Sequence, residues 1–268
     1  MQIKSKLAVG FVIYRPTSEF YRRLKMVSSA GFNLYVFDNS PSETKIRDIT
    51  DNCYNIKYIT AGKNLGLGVG LSVINATAYY EQYTSLIFFD QDTEFTVETL
   101  SYIYRFVCSK DGDCIKNYAV VMFSSRTDNL KLEYEIQDAQ VVISSGSLFY
   151  LNILEKLNWH NEKYFVDGVD YEVCLRARLN GFKVGVCYNT PGLDHVVEQP
   201  DKFVNLCGKS RPLRRYNVSR IFDAIGAYIK LIFSAVKSLD FKFAGIMLRS
   251  CAIYVLGQIV SRVYVKQG

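Results

Sequence analysis

Short apolar runs separated by longer stretches of mixed polarity set the rhythm of the first hundred residues. Leu7–Tyr14, Leu34–Phe37, Ile56–Thr60 and Leu86–Phe89 are short and rich in Val, Ile, Phe and Tyr, as buried strands are. Between them Thr17–Ala30, Thr44–Asn52 and Leu67–Gln82 repeat their apolar positions at helical spacing, and Pro16 followed by Thr17 and Ser18 supplies a helix start. Strand and helix in alternation predict an α/β fold of βαβ units with a mostly parallel central sheet and flanking helices. Farther along, the pattern predicts a helix over Thr96–Val107, a strand near Tyr118–Ser124 and an apolar run Ala139–Ser145 leading into Gly146-Ser147. Helices follow at Asn152–Leu157 and Val169–Leu179, the second closed by Asn180-Gly181, then a strand at Phe182–Tyr188 and a loop over Asn189–His195. Val218–Val236 and Phe241–Val260 predict two long apolar helices studded with Arg220, Lys230, Lys237, Lys242 and Arg249. Those charges argue against helices that span a bilayer and for amphipathic ones, lying in an interface or packed on the domain.

Polar residues collect where the runs end: Arg15-Pro16, Asp38-Asn-Ser40, Asn64, then Asp90 and Asp92. Ligands of open α/β sheets bind at the carboxyl ends of the strands, so these positions are expected to border one cleft. Asp90 and Asp92 flank a single residue at the exit of an apolar run and point the same way. Two like charges aimed at one spot repel unless a cation lies between them, which makes the pair a candidate divalent-metal site; the alternative is a solvated acidic turn. Asn64-Leu-Gly-Leu-Gly-Val-Gly70 is a poor match to a dinucleotide fingerprint, because the third Gly is displaced and the loop follows the third strand. Its glycines read as a loop that lets a helix N-terminus approach its neighbour, an end that would still favour an anion. Asp167, Asp170 and Glu172 surround the start of a helix, where carboxylates either complement the helix dipole or, tucked against Phe165-Val166, include a tuned general base. His195, beside Asp194, is a third metal ligand or a structural histidine.

Composition narrows the class. Of 268 residues 49% are hydrophobic and 22% charged, the values of a globular protein rather than a disordered or fibrous one. The net charge of +6 is unevenly placed: residues 203–268 hold 11 Lys and Arg against Asp223 and Asp240, a net of +9, leaving −3 for the rest. Basic residues interleaved with long apolar stretches suit an anionic membrane surface, whereas nucleic-acid proteins spread them over a recognition face, so nucleic acid is not an expected partner. Seven Cys without a C-x-x-C pair and two His support neither a structural zinc site nor a disulfide framework. No charged-apolar-small leader opens the chain, and the setting that fits is cytoplasmic.

Taken in order, Val9-Gly-Phe-Val-Ile-Tyr-Arg-Pro16, Val36-Phe-Asp-Asn-Ser40, Asn64-Leu-Gly-Leu-Gly68, Phe88-Phe-Asp-Gln-Asp92, Ser144-Ser-Gly-Ser147, Phe165-Val-Asp-Gly-Val-Asp-Tyr-Glu-Val-Cys-Leu-Arg176 and Asp194-His195 resemble the family 2 glycosyltransferases, in the bacterial rhamnosyltransferase-like branch that builds surface polysaccharide such as O-antigen. Arg15 stands where that family more often has Asn, and Val169 replaces the Glu of a Glu-Asp pair. The resemblance implies a GT-A catalytic domain over residues 1–210, with a nucleotide-binding half to about 95 and an acceptor half from about 96, followed by a basic amphipathic helical tail over 211–268. It implies inverting transfer from a nucleoside-diphosphate sugar, dTDP-rhamnose favoured, to a lipid-linked saccharide; a sugar-nucleotide-binding subunit without turnover is the alternative. By the same resemblance Asp38, Arg15, Asn64, Gly66, Asp90 and Gly146 border the donor, and Asp92, Asp90 and His195 hold Mg2+ or Mn2+. Asp170 is then the base, with Asp167 its rival. The tail is expected to dock the enzyme on the inner face of the cell membrane or to join it to a second copy.

Overall fold

Residues 7–41, 53–109, 117–126, 134–195, 202–206, 209–213 and 215–264 are described by the structure, a computed structural model of the chain. The expected helix Thr44–Asn52 lies outside these residues. The chain divides into two units, one made of residues 1–165 and 169–196, the other of 166–168 and 197–268.

In the first unit the apolar runs become β1 (Leu7–Ile13), β2 (Leu34–Asp38), β3 (Ile56–Thr60) and β4 (Ser85–Asp90), separated by α1 (Ser18–Ser29) and α2 (Leu67–Tyr80). They continue into β5 (Thr93–Glu94), α3 (Val97–Ser109), β6 (Tyr118–Phe123), β7 (Ile136–Asp138), β8 (Ser147–Tyr150), α4 (Leu151–Lys156), α5 (Val169–Leu179), β9 (Lys183–Cys187) and β10 (Asp194–His195). Eight strands form one sheet in the order β3-β2-β1-β4-β8-β6-β9-β7. The β3-β2-β1-β4 half is parallel, while β8 runs antiparallel to both β4 and β6. From β1 the chain goes outward to β2 and β3 and then back to β4 on the other side, which creates a crevice at the carboxyl ends of β1 and β4.

Strand alternation explains how helices cover both faces. Leu7, Val9, Phe11 and Ile13 join one buried cluster with Phe20, Leu24 and Val27 of α1 and Leu100, Ile103 and Phe106 of α3. Phe11 meets Phe20 edge-on at 5.3 Å between ring centroids, and Phe89 stacks on Phe95 at 4.0 Å. Burying each of these side chains stabilises the fold by ~1.5–3 kcal/mol. On the opposite face Gly10 leaves room for α2: a Cβ there would lie 2.9 Å from Ile74 and 2.6 Å from Leu86.

The run Ala139–Ser145 forms no strand; Ser147 N donates to the Ser144 carbonyl at 2.9 Å in a turn that Gly146 completes with φ +75°, and the strand begins only at Ser147. One expectation changes. Asp194–His195 is not free loop but pairs antiparallel with Glu94–Thr93, setting His195 opposite Thr93.

The second unit holds an antiparallel hairpin, β11 (Lys202–Leu206) and β12 (Lys209–Leu213), which the sequence pattern does not announce, and two helices, α6 (Val218–Lys237) and α7 (Phe241–Tyr264). Asn217 caps α6 by accepting from Arg220 N at 2.8 Å, and Asp240 accepts from Phe243 N at 3.0 Å at the start of α7. The helices pack through Ala224, Ala227, Leu231 and Ala235 of α6 and Phe243, Ala244 and Met247 of α7, all buried. Phe241–Arg262 has a mean hydropathy of 1.6 and, by length and composition, is long enough to cross a membrane.

Candidate active site

The end of β4 gathers the chemistry. Asp90 closes the strand and Asp92 follows one residue later; both are partly buried. Burial pushes the Asp90 carboxyl up to about 7, with the negative charges of Asp170 and then Asp92 adding to the shift. The charges of Asp92 and of Asp170, from a distant segment, thus both act on the desolvated Asp90, although among the described residues no three His, Cys, Asp or Glu side chains close into a finished metal site. The backbone pairing carries His195 to within one residue of Asp92, and its side chain lies outside the described residues. The carboxylate donors are hard oxygen, and the like charge that adds to the effect of burial on Asp90 is what a divalent cation relieves, so these residues fit Mg2+ or Mn2+.

Ser145 braces this turn by accepting from Asp90 N at 2.9 Å, with its Oγ 2.6 Å from that of Thr93. Its neighbour Ser144 donates to the Asp170 carboxylate, which stands in the first turn of α5. Gly146 spaces β4 from β6: its N–H donates to Phe88 O at 2.8 Å and its carbonyl accepts from Phe123 N at 2.7 Å. The sequence pattern leaves the two serines without a role, since Ser-Ser-Gly-Ser carries no chemistry until the fold sets it against Asp90 and Asp170.

Asp167 occupies a different setting. It belongs to the second unit, where Arg220 Nε lies 3.5 Å from its carboxylate. Burial raises its pKa, Arg220 lowers it and Asp223 raises it again. Asp170 belongs to the first unit, where its negative charge acts on Asp90.

The other strand-end residues form a frame. Asp38 is fully buried, with Oδ1 accepting from Ser40 N and Oδ2 from the Tyr58 hydroxyl, each at 2.8 Å. Asn39 Nδ2 donates to Gly66 O at 3.1 Å and its Oδ1 accepts from Leu65 N at 2.9 Å; Ser40 Oγ accepts from Arg15 N at 2.8 Å. These bonds tie the exits of β1, β2 and β3 to the start of α2. Arg15, exposed and at φ +49°, lays its guanidinium over Tyr14 at 5.2 Å. Asn64 is exposed and accepts from Gly66 N at 2.9 Å, setting the turn into α2. Gly66 itself is sealed: a Cβ there would lie 2.5 Å from Phe165 O, one at Gly68 would lie 2.5 Å from Tyr164 O, and Leu67 N donates to Phe165 O at 2.5 Å. The glycine spacing is therefore accounted for by close backbone approach between α2 and residues 161–165.

No protein-family model matches the chain. A dTDP-rhamnosyl transferase, RfbF from Shigella flexneri, is 25% identical over 202 residues, covering 68% of this chain and 66% of that one, so the chain spans just under two thirds of this relative's length. A crystal structure of S. aureus TarS 1-349 in complex with UDP-GlcNAc superposes with a TM-score of 0.61 at 14% identity, over 91% of this chain and 71% of that one. GalNAc-T7 with UDP, GalNAc and Mn2+ superposes at 0.52 with 12% identity, over 68% and 41% of the two chains. The fold is GT-A, and the sequence is rhamnosyltransferase-like.

Proposed function

We propose that this chain, a rhamnosyltransferase-like protein of GT-A fold, transfers a sugar from a nucleoside diphosphate to an acceptor hydroxyl with inversion. The observation that carries this reading is the convergence of Asp90, Asp92 and Asp170 at the carboxyl end of β4, where desolvation and like charge hold the Asp90 carboxyl near pKa 7. Such a cluster combines a cation-binding pair with a proton acceptor in one cleft. Asp92 and Asp90, with His195, would hold a divalent cation, which when bound supplies Lewis-acid charge neutralisation to the diphosphate. The strand-end frame around Asp38, Arg15, Asn64, Gly66 and Gly146 would border the nucleoside and sugar, Asp38 acting as a buried brace.

Asp170 takes the proton from the acceptor hydroxyl as that oxygen attacks the anomeric carbon. The bond from that carbon to the diphosphate oxygen breaks, and the electron pair leaves with the nucleoside diphosphate. Ser144 donates to the Asp170 carboxylate, which fixes its orientation. RfbF supports dTDP-rhamnose as donor. The exposed apolar residues of α6 and α7, set among Lys230, Lys237, Lys242 and Arg249, support a lipid-linked acceptor met at the cytoplasmic membrane surface.

Incubation of the purified protein and Mn2+ with a panel of sugar nucleotides, reading nucleoside-diphosphate release, tests the assignment. Release from dTDP-rhamnose above that from UDP-GlcNAc, lost in excess chelator, is the expected result. Binding of a donor with no release from any member of the panel contradicts it and favours a binding subunit without turnover.

A further inference from the structure

Arg23 occupies a position that the pattern of α1 reserves for an apolar side chain. The buried face of the helix is Phe20, Arg23, Leu24 and Val27, the stripe of a core-facing helix, and Arg23 is only 7% exposed. A guanidinium keeps its charge at any accessible pH, and burying it is costly unless its donors are used. Here Nη2 donates to the carbonyl of Gln91 at 2.8 Å, while Nε has no hydrogen-bond partner among the described residues. The fold thus retains a buried charge with an unused donor among the described residues, and its Nη2 contact is with the residue between Asp90 and Asp92.

The Gln91 carbonyl lies in the peptide plane that leads into Asp92, so fixing its oxygen fixes the amide and Cα of Asp92. The turn is gripped from two sides. Ser145 holds Asp90 N and the Thr93 hydroxyl, while Tyr14 N donates to Gln91 Oε1 at 2.8 Å and Arg23 holds Gln91 O. We propose that Arg23 is a positioning residue for the cation site, setting the backbone from which the Asp90 and Asp92 carboxylates converge. This rests on the cation reading given above.

The variant Arg23→Met separates positioning from plain structural support. Replacing a buried charge with an apolar side chain of similar length is often neutral or stabilising, and the cavity of about 670 Å3 bordered by Arg23, Met26 and Phe95 relieves overpacking. Loss of an outer-shell partner typically weakens metal binding ~10–100-fold. Mn2+ affinity of the full chain, titrated with the metal alone and read from the electron paramagnetic resonance of free Mn2+, is measured beside the thermal melt. R23M is expected to bind Mn2+ at least ~10-fold more weakly at an undiminished melting temperature. R23K, which keeps a charged donor, is expected to fall between R23M and wild type. Wild-type affinity in R23M, or a melting temperature that falls with it, overturns the inference in favour of no role or a structural one. Absence of Mn2+ binding by wild type, or its persistence in D92N, overturns the cation reading itself and this inference with it.

Discussion

His160 is 2% exposed, its ring meets Phe149 edge-on at 5.0 Å, and among the described residues neither ring nitrogen has a hydrogen-bond partner. Burial, and then the nearby Arg176 charge, bring its pKa down to about 3 from the ordinary 6.5, so the folded state excludes a proton that the unfolded chain accepts. Stability owed to neutral His160 is full above the unfolded value and is lost as the pH falls toward the folded one, at ~1.4 kcal/mol per pH unit. Asp90 acts with the opposite sign: its raised pKa means the folded form holds a proton the unfolded chain has released, and that advantage fades as the pH rises through about 7. Comparing His160→Phe with wild type isolates the histidine. Urea midpoints are expected to diverge in favour of the variant as the pH falls from 6.5 to 5; parallel profiles contradict the assignment. At this scale the paired aspartates stand out in the sequence because Asp-x-Asp closes an apolar run, where a cation site and a solvated acidic turn are the two readings. Arg23, Ser144 and Ser145 were not, since each has meaning only through a partner far away in the chain.

The βαβ half was legible as elements because β1, β2 and β4 are buried on both faces and so read as unbroken apolar runs, and Val169–Leu179 begins and ends as its periodicity predicts. Strands of two or three residues, β5, β7 and β10, exist through pairing alone and are too short to carry a pattern. The run Ala139–Ser145 carries no predicted element, and its apolar composition is used in a turn and in packing, with Val142 buried beneath Cys174. The glycines of the 64–70 loop offered two uses, and the structure supplies a physical one. Gly66→Ala meets both a positive φ of 90° and the Phe165 carbonyl, whereas Gly68→Ala meets only the carbonyls of Tyr164 and Asn161. Each is expected to destabilise by more than ~1 kcal/mol, Gly66→Ala the more. Chemical denaturation measures this; an alanine tolerated at both positions would show that α2 does not lie as close to residues 161–165 as described.

Across the whole molecule, charge and exposed apolar surface are concentrated in the C-terminal segment. Phe222, Ile229, Phe233 and Val236 of α6 and Leu248, Ile253, Leu256 and Ile259 of α7 are exposed, and residues 203–268 carry a net +9. Apolar burial and basic charge together are the two signals that stable interfacial binding needs, at ~1 kcal/mol per basic residue near an anionic surface. The protein is expected to float with anionic vesicles, less so at high salt, and Phe233→Glu is expected to weaken flotation. Salt-independent recovery in the soluble fraction would instead favour self-association through these helices, which sedimentation would reveal. The central claim concerns the carboxylate that takes the acceptor proton. Asp170→Asn changes almost no volume and removes proton acceptance, a contribution of ~10²–10⁴ in rate. Turnover of a sugar nucleotide by D170N, measured beside donor affinity on the same samples, is the most direct test. A loss of that size at unchanged affinity is the predicted result, and near-normal turnover by D170N would contradict the account.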